Sequence, residues 1–323
     1  MPTTTTHAPV QTLHTQGDDW RPLLDSVPAT GLPDLELVAA AGRARRLLPT
    51  AVHDVLADLG DDTASWAPGA WLVRGVPVGD LPVTPAAPGR RTAKDQVSEF
   101  VLLSVARALG QPVGYLPEHG GSLVQDLVPT AASAHLQTST SSAVELEFHT
   151  ETAFHPHRPR YLLLLCLRGD PAAGTLICDV AQVLDELDPE VRRVLGESRF
   201  RTGVDESFTG GRTVALRPPA PVLSGDPRRP TVVFDADLMH GLDREAEHAI
   251  SVLRDLTRAR RVAVTLRAGD LLVVDNDRCL HGRTAFRARY DGTDRWLQRS
   301  FVVADLAASA GERDGRVITT TFA

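Results

Sequence analysis

At 323 residues, with 42% hydrophobic and 23% charged side chains, the chain has the make-up of an ordinary soluble globular protein able to bury a sizeable core. A net charge of −7 and a pI near 5.9 argue against the basic footprint that a nucleic-acid partner requires, and no apolar run is long enough to span a membrane. Three scattered cysteines, Cys166, Cys178 and Cys279, suit buried thiols in a reducing compartment, so a cytoplasmic protein is expected.

Residues 1–20 show no basic segment followed by an apolar stretch, so they read as a loose tail ahead of one domain over 21–323. Residues 34–61 repeat apolar positions at helical spacing, broken at Pro49 into two helices. Trp71–Val76 reads as a strand, residues 82–91 as a proline-rich loop, and Ser98–Leu109 as an amphipathic helix with Ser98 as a possible cap and Gly110 as its stop. A glycine-rich turn follows at Gly114–Gly121, then a short strand over Ser122–Val128 and a loop over Ala131–Ala143.

Tyr161–Leu167 is a nearly continuous apolar run, the pattern of a buried strand. Gly174–Asp179 is a further strand and Val180–Leu195 a helix. Short strands are expected around Phe200, over Arg212–Leu216 and over Thr231–Phe234, and a helix over Arg244–Ala259. Val262–Leu266, Asp270–Val274 and Trp296–Val303 complete the β region. Helical support over 34–110 before a run of short strands over about 111–305 points to a mainly β fold, a helix-braced β-sandwich or jelly roll.

Within Glu147–His155, His149 and Glu151 lie two apart, so on extended backbone they leave the same face while Thr150 points away. A lone His-x-Glu arises readily by chance among 11 histidines and 41 acidic residues. Joined by His281, which a buried strand presents in the turn after it, the pair becomes a 2-His-1-carboxylate set, which holds iron(II) and leaves positions open for other ligands. Arg295 and Arg299 follow, four apart and on one face, about 13 Å from each other at ~3.3 Å per residue. Pointing inward, each needs an anion, and guanidinium forks suit carboxylates; pointing outward, both are solvated. Asp235 and Asp237 share a strand face and form either a paired-carboxylate pocket or a solvated turn. His155 and His157 suit supporting or surface positions, and Asp275–Asp277 a turn or a cation loop.

The segments FHTETAFHPHRPRYLLLLCLRGD, VVDNDRCLHGRTAF and RYDGTDRWLQRSFV, in this order and spacing, resemble the clavaminate synthase-like iron(II)/2-oxoglutarate oxygenases over roughly residues 70–305. Within that family they are most similar to asparagine oxygenase and the viomycin-pathway arginine hydroxylase. The resemblance implies a double-stranded β-helix (jelly-roll) core, Fe(II) with 2-oxoglutarate and dioxygen as cosubstrates, and hydroxylation of a free L-amino acid in natural-product biosynthesis. It makes His149, Glu151 and His281 the iron ligands. Arg295 then pairs with the distal carboxylate of 2-oxoglutarate, with Thr175 nearby, while Arg299 takes the α-carboxylate of the substrate and Glu118 its α-ammonium. A carboxylate at Glu151 also argues against a halogenase, which needs a small residue there.

Two carboxylates at Asp235 and Asp237 suit the five donors of a guanidinium. Arginine or a related cationic amino acid, hydroxylated at Cβ or Cγ, is therefore the expected substrate, with lysine or ornithine and asparagine or glutamine as alternatives. Outside the oxygenases, a zinc-dependent hydrolase and a non-catalytic cupin-like binding protein are the competing classes. The first lacks a clear extra general base and gives two same-face arginines no task, and the complete ligand set speaks against the second.

Overall fold

A strand that is apolar at nearly every position must be covered on both faces, and Tyr161–Arg168 meets that condition. In the computed structural model, which describes residues 8–61, 68–89 and 94–322, this strand lies inside a large mixed sheet. Leu163, Leu165 and Leu167 join a core shared with helices, while Leu162, Leu164 and Cys166 join one shared with a second sheet. The two-residue period of the strand thus divides one apolar run between two cores.

Along the chain the strands are β1 (Val10–His14), β2 (Ala70–Arg74), β3 (Gln111–Tyr115), β4 (Gln125–Leu127), β5 (Leu146–His149), β6 (Tyr161–Arg168), β7 (Gly174–Asp179) and β8 (Phe200–Thr202). They continue as β9 (Leu223–Asp226), β10 (Arg229–Val232), β11 (Met239–Gly241), β12 (Val262–Thr265), β13 (Asp270–Asp275), β14 (Cys279–Arg283), β15 (Trp296–Val303), β16 (Arg313–Asp314) and β17 (Val317–Ile318). The large sheet runs β1-β2-β13-β6-β15-β3-β17-β16, and β3 and β4 share the edge of β15 away from β6. The smaller sheet runs β12-β7-β14-β5.

The two sheets meet through Ile177, Val264 and Cys279 on one side and Leu164, Leu272 and Phe301 on the other. Helices Asp34–Ala44, Thr50–Gly60 and Val97–Leu109 cover the outer face of the large sheet. Helix Arg244–Arg260 covers the small one, packing Ala249, Ile250 and Leu253 with Leu176, Cys178 and Leu280. All three cysteines are free and buried; burial pushes the thiols of Cys166 and Cys178 up to about 12. Among the described residues, no helix is long and apolar enough to cross a membrane.

Most expected strands and helices are present, and the departures have local causes. The helix expected over Val180–Leu195 is two, Ala181–Leu184 and Pro189–Leu195. Asp188 caps the second, accepting from Glu190 N–H at 2.8 Å, and Pro189 supplies its first turn. Arg212–Leu216 is not a strand: glycines at 210 and 211 precede it, two prolines follow it, and only Ala220 bridges to Phe200. The glycine-rich turn begins later than expected, because Gln111–Tyr115 pairs with β15 and β17.

The expected loose tail is the largest correction. Residues 1–7 lie outside the described residues, but Val10–His14 forms the edge strand β1, parallel to β2. Thr15 N–H donates to the Arg74 carbonyl at 2.9 Å, and the fully buried Trp20 donates from Nε1 to Thr15 Oγ1 at 2.8 Å. Five polar and apolar residues in mixed order carry little strand signal; the ladder and the indole fix them instead. Trp20→Ala is expected to lower stability by about 3–5 kcal/mol in urea unfolding, the usual loss for a buried large aromatic. A loss below about 0.5 kcal/mol, typical of a surface change, would return the segment to a loose tail.

Candidate metal centre and substrate cavity

Antiparallel pairing of β5 with β14 puts His149 opposite His281, with ring centroids 4.3 Å apart. Strand β5 ends there. Thr150 turns its hydroxyl away from the cleft, accepting from Phe234 N–H at 3.1 Å and donating to the Val232 carbonyl at 3.2 Å. Alternation then returns Glu151 to the side of the histidines, where its Oε2 lies 3.3 Å from His281 Nε2. One donor atom from each of the three lies within 4.8 Å of the others, and no other His, Cys, Asp or Glu trio among the described residues converges in this way. His281 sits within β14 rather than in the turn expected to present it; the turn is the preceding Asn276–Arg278.

Asn276 holds the Glu151 segment in place. Fully buried, it accepts from Glu151 N–H at 2.7 Å through Oδ1 and donates from Nδ2 to the Glu151 and Pro159 carbonyls at 3.2 and 2.9 Å. Directly beyond, Thr152 takes a φ of +50°, a region that a β-branched residue rarely occupies. His149 Nδ1 lies 2.8 Å from the Glu147 carbonyl, which can only accept, so Nδ1 carries a proton and Nε2 is the nitrogen left to serve as a ligand.

Burial alone would raise the Glu151 carboxyl, but Arg299 and then His281 outweigh it and hold the group at about 2. Burial, reinforced by His149, lowers His281 to about 4. At neutral pH this leaves a carboxylate and a neutral imidazole, the protonation states a metal ligand needs. The donor set, with Glu151 and His281 buried, His149 half-buried and one side open to a cavity, fits iron(II).

Both arginines enter from the large sheet and point inward, which decides the alternative left open by the sequence. Arg299 donates from Nη1 to Glu151 Oε1 at 3.3 Å, from Nε and Nη2 to Gln125 Oε1 at 2.9 and 2.6 Å, and from Nη2 to Glu118 Oε1. Glu118 and Arg299 thus pair directly. The Glu118 carboxyl is raised by burial, which Arg299 partly reverses, and its Oε2 has no partner. Arg295 is equally buried, yet its side chain reaches only Thr175 Oγ1, at 3.4 Å, with no carboxylate ion pair among the described residues. A buried guanidinium in that state suits an anionic ligand.

These groups bound a cavity of about 660 Å³, lined also by residues 135–140, 205–208, 235, 237 and 238. Asp235 and Asp237 both line it but do not share a strand face. Asp235 bridges to His149, and its Oδ1 then caps a turn, accepting from the N–H groups of Asp237 and Leu238 at 2.9 and 2.8 Å. The short side chain of Asp prefers that turn to a continued ladder. Arg283, which has no distinguishing signal in the sequence, reaches Ser141 Oγ at 2.9 Å and the Val144 carbonyl at 3.2 Å, tying the 131–144 segment to β14.

The remaining candidates lie elsewhere. His155 packs in an aromatic cluster with Tyr115, Phe154, Phe208 and Phe322, where burial and then His157 lower it to about 3. Asp275 and Asp277 hold Arg160 at 3.0 and 3.1 Å, so they form a turn with an arginine clamp, not a cation loop.

The model of the "Taurine catabolism dioxygenase TauD, TfdA family" matches residues 69–301. The chain belongs to this family. It is an Fe(II)- and 2-oxoglutarate-dependent dioxygenase, and the hydrolase and binding-protein alternatives fall away. Among TauD/TfdA relatives, an L-lysine 3-hydroxylase of Catenulispora acidiphila is 41% identical over 79% of this chain and 73% of its own. An L-asparagine oxygenase of Streptomyces coelicolor is also 41% identical, over 90% of this chain and 88% of its own. A crystal structure of asparagine oxygenase with Fe(II), 2S,3S-3-hydroxyasparagine and succinate superposes with a TM-score of 0.88 at 36% identity, covering 95% of this chain and 98% of that one.

Asn276→Ala removes two hydrogen bonds to the Glu151 backbone and one to Pro159 without altering the side chains of the candidate ligands. Cobalt(II) titration should show affinity about 10–100-fold weaker than wild type, the usual effect of losing a group that orients a metal ligand. Unchanged affinity in a folded variant would show that Glu151 is seated by other means.

Proposed function

We propose that this dioxygenase hydroxylates a free L-amino acid with a cationic side chain, arginine or a close relative, at Cβ or Cγ in natural-product biosynthesis. The observation that carries this assignment is the charge of the cavity: Glu118, Glu147, Glu151, Asp205, Glu206, Asp235 and Asp237 line it against three arginines. Glu147 pairs with Arg258 at 2.6 Å, and Glu118 and Glu151 with Arg299, which leaves the acids of the 205–206 and 235–237 segments for a ligand. The two facing sheets would be the halves of a double-stranded β-helix within one oxygenase domain.

His149, Glu151 and His281 would hold the iron, with Arg295 and Thr175 receiving the distal carboxylate of 2-oxoglutarate. Iron(II), 2-oxoglutarate and dioxygen together supply the oxidising power that turns a C–H bond into C–OH while 2-oxoglutarate becomes succinate and carbon dioxide. The protein positions the bond to be broken. Glu118 and Arg299 exchange part of their mutual pairing for the α-ammonium and α-carboxylate of the substrate, so neither charge is left uncompensated. Asp235, its carboxyl raised by burial and steadied by His149, and Asp237 take the cationic end. Fixing both ends of the substrate sets which carbon faces the metal.

The asparagine oxygenase, with identity equal to that of the lysine hydroxylase, supports a second reading in which Asp235 alone receives a side-chain amide. A panel of arginine, lysine, ornithine, asparagine and glutamine, scored by succinate release and by a product one oxygen heavier, separates the two. A cationic substrate should exceed asparagine in kcat/KM by at least about tenfold; a preference for asparagine or glutamine would overturn the assignment.

Asp235→Ala should lower kcat/KM for the cationic substrate roughly 30-fold, the loss of about 2 kcal/mol expected when one partner of a buried charge pair is removed. Substrate-free turnover of 2-oxoglutarate should stay within about twofold of wild type on the same scale. An equal fall in both activities would place Asp235 in support of the metal site instead.

A further inference from the structure

A second cavity, of about 650 Å³, shares no lining residue with the catalytic one. Helices Asp34–Ala44, Thr50–Gly60 and Val97–Leu109 and the segment before β17 bound it. Its charged lining is Arg43, Arg45, Arg46, Arg107 and Arg316, with His53 beside them and no carboxylate. In a chain of net charge −7 this reverses the overall balance. None of the five arginines forms an ion pair with an acidic residue among the described residues, although ion pairs are frequent elsewhere on the surface.

Two of them are drawn together. Gln111 Oε1 accepts from Arg107 Nη1 and also from Arg316 Nη2, the latter at 3.0 Å. Backbone carbonyls complete the seating: Gly110 accepts from Arg107 at 2.9 Å and Pro112 from Arg316 at 3.1 Å. Neutral oxygens orient guanidinium forks without cancelling their charge. Burial and then Arg45 lower Arg107; burial and then Arg107 lower Arg316. Two like charges held around one neutral oxygen, with three more at the rim, match a ligand of opposite sign.

We propose that this cleft binds a small polyanion bearing phosphate groups, at a site separate from the catalytic cavity. Phosphate suits it because several arginine forks can each engage a different pair of oxygens. No Phe, Tyr or Trp lines the cleft, so recognition rests mainly on the charged groups rather than on stacking of a base. Leu35, Val38 and Ala39 give one wall an aliphatic surface that tolerates an ester substituent.

Calorimetric titration of the full chain with inorganic pyrophosphate, at about 0.1 M salt to screen diffuse attraction, tests the site. One equivalent should bind. Arg107→Gln/Arg316→Gln should weaken it at least about tenfold and Arg45→Gln, at an exposed side chain, about threefold, while Arg295→Gln leaves it unchanged. Citrate should bind at least about tenfold more weakly than pyrophosphate. The absence of saturable binding, equal affinity in the Arg45 and double variants, loss in Arg295→Gln, or citrate binding as tightly would each overturn the proposal. If the double variant does not fold, Arg45→Gln against wild type decides.

Discussion

Arg299 lies buried between Glu118 and Glu151, and the site depends on that three-group network. It links β15 of the large sheet to the segment after β5 of the small one, and to the turn after β3. A guanidinium buried alone would be expensive, and a carboxylate buried alone would take up a proton. Arg299 holds the Glu151 carboxyl low, which keeps Glu151 available as a donor beside two imidazoles. Gln125 adds a neutral acceptor for two further N–H groups, so the fork is nearly saturated and its direction fixed. Arg295, four residues earlier, has no such company, which is why we propose it as the partner of an anionic cosubstrate.

The geometry follows from strand periodicity applied twice. Within the large sheet, alternate positions of β15 send Arg299 and Phe301 inward. Within the small sheet, alternation along β14 sends His281 and Arg283 to the cleft and Cys279 to the core between the sheets, while Leu280 joins the outer core. Where a strand cannot continue, short polar side chains take over: Thr150 bonds away from the cleft, Asn276 seats the Glu151 backbone, and Asp235 caps the turn that brings a second acidic group to the cavity rim.

Much of this was legible in the residues. The apolar run of β6, the helix pair broken at Pro49 and the His149-x-Glu151 spacing each follow from one local rule, and each is present. His281 was identified as the third ligand, but placed in a turn, because Cys279–Arg283 carries a histidine, a glycine and an arginine in place of the apolar residues that mark a strand. The short strands β1 and β3 carry little signal for a related reason: their structure comes from partners distant in the chain. Asn276 and Gln125 carry no signal of their own, since their task appears only when β13 and β14, or β4 and β15, are brought together. The acidic rim at Asp205 and Glu206 was hidden likewise. Asp235 and Asp237 were found as a pair, yet the periodicity that suggested a shared strand face does not survive the turn between them.

The claim on which the rest stands is that His149, Glu151 and His281 hold one iron(II) with room beside it for 2-oxoglutarate. Anaerobic titration of iron(II) and 2-oxoglutarate into the protein, followed by visible absorption, tests it most directly. A weak charge-transfer band should appear, saturate at one equivalent, and be missing in His281→Ala. No band in the wild type, or an undiminished band in the variant, would contradict the assignment.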